Sequence, residues 1–127
     1  MKKILLVEDT ADLLLNITDT LRMEGYAVKG AVNGTIALQI LENYTPHLII
    51  TDLRMPGLDG LAFINAVKTN DHYSDIPILI YSARITPDDE AAGLQLGAVQ
   101  YLKKPCPIDF FIETVFNLIN KKDTLAT

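Results

Sequence analysis

The sequence predicts a single α/β domain with a parallel sheet, and three observations support this class. Apolar stretches at residues 4–7, 48–50 and 76–81 are rich in Ile, Leu and Val and are short enough to be strands. Such stretches indicate strands covered on both faces, as in a parallel sheet. Segments with apolar residues at helical spacing separate them, so strands and helices alternate along the chain. Right-handed crossovers then place helices on both faces of the sheet.

The chain begins with a strand, a helix and a second strand. The strand covers residues 4–7, and the helix after it is capped by Thr10 or Asp12 and ended by Gly25. The apolar face of this helix consists of Leu14, Ile17 and Leu21. Alternation over residues 26–32 then predicts an exposed or edge strand.

A second helix, the central strand and a third helix follow. The turn pair Asn33-Gly34 precedes the second helix. Its apolar face consists of Ile36, Ala37, Ile40 and Leu41. Pro46 ends the next connection, and the strand at residues 48–50 begins soon after it. The third helix follows the Pro56-Gly57 turn, and a polar loop covers residues 69–75. The apolar residues of the third helix are Leu61, Ile64 and Val67.

The last part of the chain adds two strands and two helices. Residues 76–81 are a buried strand, and Pro87 with the acids after it predicts a helix start, since acids suit the positive end of the helix dipole. Leu94 and Leu96 are the large apolar residues of this fourth helix, so we expect it to be the most weakly anchored. Residues 97–102 are the last strand. A fifth helix turns Phe111, Val115 and Leu118 inward, flanked by Ile112 and Ile119.

Composition and charge restrict the class of protein. The length of 127 residues fits one domain, which we place at residues 1–122, with a short polar tail at 123–127. The net charge of −5 disfavours direct nucleic-acid binding, which needs clustered Lys and Arg. The single cysteine, Cys106, excludes an internal disulfide framework, and this favours a cytoplasmic location. We expect the Cys106 side chain to be a small buried hydrophobe. The first apolar run is too short for a signal peptide, and no stretch approaches the roughly 20 residues of a membrane span.

Polar side chains end four of the predicted strands. Glu8 and Asp9 follow the first strand, Asp52 and Ser82 follow two buried strands, and Lys104 follows the last strand. The carboxyl ends of parallel strands share one edge, so we expect these side chains to converge. Converging carboxylates repel one another unless a cation lies between them, and Mg²⁺ suits carboxylate oxygens. A lysine and a hydroxyl beside them suit a phosphoryl group.

Each of these residues also has an ordinary structural explanation. Glu8 and Asp9 suit a helix start, and Asp52 suits the cap of a turn. Ser82 suits a turn, and Lys104 suits a solvated surface. The functional interpretation therefore depends on their convergence.

Taken in this order and at these intervals, the motifs resemble the receiver domain of two-component response regulators. The resemblance extends from Lys3 to about Lys121. The matching residues are Glu8-Asp9, Asp52, Met55-Pro56-Gly57, Asp59-Gly60, Ser82-Ala83, Tyr101 and Lys104-Pro105. The resemblance implies a doubly wound, flavodoxin-like sheet of five parallel strands in the order 2-1-3-4-5, with five helices.

The resemblance also implies a phosphoacceptor and a magnesium site. Asp52 would accept a phosphoryl group from a sensor histidine kinase, a phosphotransfer protein or a small donor such as acetyl phosphate. Asp9 and Asp52 would bind Mg²⁺ directly, Glu8 through water, and Arg54 through its backbone carbonyl. The domain would be a cytoplasmic monomer or weak dimer, without direct nucleic-acid or membrane binding and with an unidentified downstream protein target.

Further residues receive roles from the same resemblance. Lys104 would pair with a phosphoryl oxygen, Ser82 would hydrogen-bond another, and the peptide bond Lys104-Pro105 would be cis. Movement of Ser82 would let Tyr101 rotate inward and alter the face formed by the fourth helix, the last strand and the fifth helix. A half-buried edge aromatic is the alternative for Tyr101.

Two arginines lie two positions beyond Asp52 and Ser82. Arg54 and Arg84 either lie over the phosphoryl group, where they would slow dephosphorylation, or are ordinary solvated side chains.

Each competing function conflicts with one feature of the sequence. A phosphohydrolase of the haloacid-dehalogenase type requires an Asp where Arg54 stands. A nucleotide-binding module requires a glycine-rich phosphate loop, and neither common form of that motif occurs. A receiver that is not phosphorylated would have lost part of the acid pair, Asp52 or Lys104. The sequence therefore favours a regulator over an enzyme.

Overall fold

The computed structural model describes residues 1–55, 59–83 and 86–120, in which five strands and five helices alternate. The strands are β1 (Lys3–Val7), β2 (Ala27–Ala31), β3 (Leu48–Thr51), β4 (Ile78–Ser82) and β5 (Gln100–Lys103). The helices are α1 (Ala11–Met23), α2 (Gly34–Leu41), α3 (Gly60–Lys68), α4 (Pro87–Leu96) and α5 (Ile108–Ile119).

All five strands belong to one parallel sheet in the order β2-β1-β3-β4-β5. This confirms the doubly wound fold and the prediction that β2 is an edge strand. Val7 at the end of β1 aligns with Ala31 of β2 and Thr51 of β3. Ser82 at the end of β4 aligns with Lys103 of β5. The carboxyl ends of the strands therefore meet at one edge of the sheet.

The sheet is covered on both faces by separate apolar cores. In β1, Leu5 and Val7 belong to one core and Ile4 and Leu6 to the other, and none of the four is more than 1% exposed. Side chains of α2 and α3 complete the first core, and those of α1 and α5 complete the second. A strand buried on both faces must be apolar at every position, which explains the uninterrupted stretches in the sequence.

The helices begin where the sequence predicts, but not always by the predicted contact. Thr10 is the N-cap of α1, which confirms one of the two predicted positions, but its side chain makes no capping hydrogen bond. The Thr10 amide donates instead to Oε2 of Glu8 at 3.1 Å. Asn33 caps α2 by accepting a hydrogen bond from the Ile36 amide at 2.8 Å, so the pair Asn33-Gly34 starts a helix.

Two strands start later than predicted. β4 begins at Ile78, because a turn closed by the Ile76 amide and the Tyr73 carbonyl (3.0 Å) precedes it. β5 begins at Gln100, because Gly97 ends α4 with a φ of 124°. This conformation favours glycine and is common after the last turn of a helix.

The fourth helix has a thin apolar anchor and a well-formed start. Gly93 is its buried residue, and Leu94 is 39% exposed, in agreement with the weak anchoring expected from the sequence. The Thr86 hydroxyl accepts from the Asp89 amide at 3.1 Å, and the Asp89 carboxylate accepts from the Thr86 amide at 3.4 Å. This capping box fixes the first turn of α4, and we did not predict it.

Several predicted features lie outside the described residues. They are the Pro56-Gly57 turn, Arg84, and the boundary between residues 122 and 123. Among the described helices, none combines the length and apolarity needed to cross a membrane.

Gly60 lies against the backbone that carries Asp52, which leads to a stability prediction. A Cβ at Gly60 would lie 2.3 Å from the Asp52 carbonyl oxygen and 2.4 Å from Leu53 Cα. Because both are backbone atoms, α3 would have to move, and we expect Gly60→Ala to lower the free energy of unfolding by about 2 to 3 kcal/mol. Urea unfolding at equilibrium measures this change.

Gly93→Ala is the matched control. A Cβ there would meet Cδ1 of Ile80 at 2.4 Å, and this atom is the end of a flexible side chain. Alanine also favours the helix, so we expect a loss of less than about 1 kcal/mol. Equal losses for the two variants would contradict this account.

Candidate functional site

The end of β3 fixes Asp52 through the backbone. The Asp52 amide donates to the Val7 carbonyl at 3.1 Å, which keeps the residue aligned with β1. The Arg54 amide donates to Oδ1 of Asp52 at 3.1 Å. An aspartate that accepts from the amide two residues later has its side chain turned back over its own loop. The position of this carboxylate is therefore set by the local chain.

Glu8 and Asp9 lie beside Asp52 because β1 is the neighbour of β3. One oxygen from each of the three carboxylates lies within 4.8 Å of the others. Glu8 is 2% exposed, whereas Asp9 is exposed. The Glu8 amide donates to the Ala31 carbonyl at 2.9 Å, so Glu8 continues the alignment of β1 with β2. The structure thus brings the three predicted carboxylates together.

Lys104 and Ser82 complete this group. The Lys104 ammonium donates to Oε1 of Glu8 and, at 3.0 Å, to Oδ2 of Asp52. The Ser82 hydroxyl donates to Oδ1 of Asp52 at 2.8 Å. The Lys104 amide donates to the Ser82 carbonyl at 2.9 Å, and the peptide bond Lys104-Pro105 is cis, as the resemblance implied. Every polar strand-end residue singled out in the sequence lies in this one cluster.

Burial and hydrogen bonding shift the pKa values of two carboxyl groups in opposite directions. Burial raises the pKa of Glu8 above its ordinary value, and the hydrogen bonds from Lys104 and from the Thr10 amide offset this only in part. Burial also acts to raise the pKa of Asp52, but its hydrogen-bond donors and the charge of Lys104 outweigh burial and lower that pKa. Asp52 is therefore ionised at neutral pH, as a carboxylate nucleophile must be.

Arg54 and Tyr101 each interact with a carboxylate of α4. The guanidinium of Arg54 is 56% exposed and lies 3.4 Å from Oδ2 of Asp89. The interaction of the Tyr101 hydroxyl with the carboxylate of Glu90 raises the pKa of Tyr101. Tyr101 is partly buried, as the alternative interpretation expected. Neither contact with α4 was predicted from the sequence.

Tyr81 is a neighbour of the cluster that we did not predict. Its ring centroid lies 5.2 Å from the Lys104 ammonium and 4.9 Å from the centroid of the Phe111 ring. The Cys106 sulfur lies 3.9 Å from the Tyr81 hydroxyl. Cys106 packs against the second core but is only partly buried, so the prediction of a buried hydrophobe holds in part. One indication of this neighbour was present in the sequence, namely an aromatic residue directly before Ser82.

The chemistry of the acidic cluster fits a hard divalent cation. Mg²⁺ prefers carboxylate and carbonyl oxygens together with water, and Glu8, Asp9 and Asp52 present carboxylate oxygens at close range. The raised pKa of Glu8 indicates a position where additional positive charge would be favourable.

Comparison with solved structures gives the same architecture. The chemotaxis protein CheY4 of Vibrio cholerae aligns with a TM-score of 0.88 at 30% identity, over 93% of this chain and 98% of that one. The receiver domain of the sensor histidine kinase PA1611 from Pseudomonas aeruginosa aligns with a TM-score of 0.86 at 28% identity, over 94% and 98% of the two chains. In that structure a magnesium ion is coordinated in the active-site cleft.

Sequence comparison identifies the family. Residues 4–116 match the response regulator receiver domain. The transcriptional regulatory protein PrrA of Mycobacterium bovis is 35% identical over 125 residues, which cover 98% of this chain and 53% of PrrA. The chain belongs to the response regulator receiver domains, the phosphoacceptor switches of two-component signalling. It spans about half the length of the curated relatives it matches.

Family membership settles two general points. Receiver domains bind Mg²⁺ in their acidic pocket and interact with histidine kinases or phosphotransfer proteins. The alternative of a haloacid-dehalogenase-type phosphohydrolase has no support among these matches.

The shifted pKa of Glu8 predicts how stability depends on pH. Because the folded-state pKa is raised, ionised Glu8 costs stability above that pKa, and the cost disappears as the pH falls below the ordinary value of 4.5. Glu8→Gln removes the charge at every pH. We therefore expect this variant to unfold at higher urea concentration than the wild type in metal-free buffer near neutral pH. The difference should vanish below the ordinary pKa.

An exposed glutamate on α5 gives the control. Glu113→Gln should leave the unfolding midpoint near neutral pH close to that of the wild type, because Glu113 is exposed. If Glu8→Gln were less stable than the wild type at neutral pH, the pair with Lys104 would outweigh the cost of burial, and the account would be wrong.

Proposed function

We propose that this chain is a switch that accepts a phosphoryl group on the side chain of Asp52. The observation that carries the proposal is the arrangement around this one carboxylate. Asp52 accepts hydrogen bonds from Ser82 and Lys104, lies within the acidic cluster and has a lowered pKa. Its partner would be a sensor histidine kinase or a phosphotransfer protein.

The transfer requires little covalent help from the protein. An ionised Asp52 oxygen would attack phosphorus, the bond from phosphorus to the donor's imidazole nitrogen would break, and that nitrogen would keep the electron pair. No general base is needed, because the lowered pKa leaves Asp52 without a proton. The contribution of the site is to position the reactants and to offset negative charge.

The residues that would hold Mg²⁺ are those of the acidic cluster. Asp9 and Asp52 would bind it directly, Glu8 through water, and Arg54 through its backbone carbonyl. The ion would supply positive charge that offsets the charge of the phosphoryl oxygens.

Lys104 and Ser82 would change partners on phosphorylation. Both now donate to Asp52, at 3.0 Å and 2.8 Å. The phosphoryl group adds acceptor oxygens beyond the carboxylate, so the ammonium of Lys104 and the hydroxyl of Ser82 would turn toward them. Because Ser82 is 1% exposed at the end of β4, its movement would be transmitted to the neighbouring strand.

Phosphorylation would change the surface formed by α4, β5 and α5. The Tyr101 hydroxyl of β5 interacts with the Glu90 carboxylate of α4, and Gly93 is the buried residue of α4. Displacing a helix with so little buried apolar surface requires little free energy. Inward rotation of Tyr101 would take its hydroxyl away from Glu90 and change this face.

The remaining assignments belong to the same proposal. The domain would occupy residues 1–122 and act in the cytoplasm as a regulator, with self-phosphorylation and self-dephosphorylation as its only reactions. Slowed dephosphorylation owing to Arg54 and Arg84 stays a prediction, since Arg84 lies outside the described residues.

Phosphorylation in vitro tests the acceptor. Incubation with acetyl phosphate and Mg²⁺ should add the mass of one phosphoryl group to the wild type and none to Asp52→Asn, because the amide has no anionic oxygen to attack phosphorus. Intact-mass spectrometry measures the addition.

Asp12→Asn is the control, because Asp12 is an exposed acid in the first turn of α1, outside the acidic cluster. This variant should be labelled like the wild type. Labelling of Asp52→Asn at the wild-type rate would place the acceptor elsewhere. Release of free phosphate over many turnovers would instead favour a hydrolase.

Magnesium binding predicts a separate change in stability. A ligand that binds only the folded state at a hundred times its Kd raises the free energy of unfolding by about 2.7 kcal/mol. We expect Mg²⁺ to raise the unfolding midpoint of the wild type and to have little effect on Asp9→Asn. Thermal unfolding in a Mg²⁺ titration measures this.

The Asp12→Asn variant should respond to Mg²⁺ as the wild type does. An equal response from Asp9→Asn would show that Mg²⁺ acts elsewhere on the surface.

A further inference from the structure

Tyr81 lies between the Lys104 side chain and the second apolar core. The Lys104 ammonium is 5.2 Å from the centroid of the Tyr81 ring, within the range of a cation–π contact. The Phe111 ring lies 4.9 Å from the Tyr81 ring at an interplanar angle of 33°. The Cys106 thiol donates to the Tyr81 hydroxyl over 3.9 Å. The ring is therefore supported by neighbours and presented to the ammonium.

The Lys104 side chain needs such support because it is long and two carboxylates compete for its ammonium group. It has four rotatable methylene positions, and its backbone amide fixes only the start of the chain. Its ammonium contacts both Glu8 and Asp52, and the side chain is 11% exposed, so little water solvates the charge. If Glu8 alone held the ammonium, Lys104 would be drawn away from Asp52 and from any group added to it.

We propose that Tyr81 is a positioning residue for Lys104, whose ring face holds the ammonium beside Asp52 while the lysine exchanges the carboxylate for a phosphoryl oxygen. This inference rests on the role proposed above for Lys104. The ring attracts a cation without offering it a full negative charge. It therefore limits where the ammonium lies and does not compete with the phosphoryl group for a hydrogen bond.

The chemistry of the phenol is consistent with this role. Burial, with the nearby Cys106, raises the pKa of Tyr81 to about 12. The ring remains neutral at physiological pH and so contributes its quadrupole rather than a phenolate charge. Because the ring face is the relevant feature, Tyr81→Phe should keep the function although it loses the contact with the Cys106 thiol.

Graded substitution at position 81 tests the proposal. The variants are Tyr81→Phe, Tyr81→Leu, and replacement by phenylalanines with increasing ring fluorination, up to pentafluorophenylalanine. Fluorination weakens the negative ring face with little change in shape. The readout is the apparent second-order rate of Asp52 phosphorylation by acetyl phosphate at saturating Mg²⁺. We expect Tyr81→Phe to stay within about twofold of the wild type and Tyr81→Leu to fall about tenfold, with the fluorinated residues between them in order.

Tyr44→Leu is the matched control for loss of an aromatic ring. The Tyr44 ring also lies near lysine ammonium groups, 5.7 Å from Lys3 and 5.5 Å from Lys29, but at the other end of the sheet. Its removal should lower stability and leave the phosphorylation rate unchanged. If Tyr81→Leu does not fold, the fluorinated series decides the question. A merely structural ring would give the same rate at every degree of fluorination, and that result would overturn the proposal.

A spectroscopic measurement separates this inference from the proposed function. A side chain held over an aromatic face is shifted upfield by the ring current, so in metal-free, unphosphorylated protein the Lys104 ε-methylene signal should lie upfield of lysines that have no aromatic ring nearby. The shift should persist in Tyr81→Phe and disappear in Tyr81→Leu. Absence of the shift in the wild type would overturn the positioning role even if Asp52 is phosphorylated. Failure of Asp52 to accept phosphate would overturn the proposed function and leave the shift to decide the positioning.

Discussion

One ammonium group among three carboxylates is the interaction on which the functional site depends. Lys104 offsets the charges of Glu8 and Asp52 at a point where burial makes uncompensated charge costly. These residues come from the ends of β1, β3 and β5, so the sheet order must be correct before the cluster can form. A single positive charge for three negative ones leaves the site able to accept more cation, which is the condition that Mg²⁺ binding and phosphoryl transfer both need.

The strands that hold this cluster are deeply buried, whereas α4, where we propose that the change is read, has a thin apolar anchor. β1 and β3 lie in the middle of the sheet and are buried on both faces, so the carboxylates at their ends have fixed positions. On the other side of Ser82, α4 has Gly93 as its buried residue. We therefore expect a change in the hydrogen bonds of Asp52 to displace α4 rather than β1.

Much of the fold could be predicted from the sequence because a strand that is buried on both faces must consist of apolar residues. The runs that became β1 and β3 could be identified for this reason, and their polar ends indicated the site. Prediction failed where a backbone conformation decided the outcome, as at Gly97, whose positive φ ends α4 and delays β5. It also missed the contact between Tyr81 and Lys104, because a contact between a side chain of β4 and one directly after β5 depends on rotamers that no pattern in the sequence records.

The contact between Arg54 and Asp89 shows how a local change can reach α4 without a long pathway. The Arg54 amide donates to Asp52, while its guanidinium pairs with Asp89, which also caps the first turn of α4 with Thr86. The ion pair is exposed and screened by solvent, so exchanging it requires little free energy. The capping box is intrinsic to α4 and would survive that exchange. Displacement of α4 can therefore occur as a movement of an intact helix start, with no need for the helix to unfold.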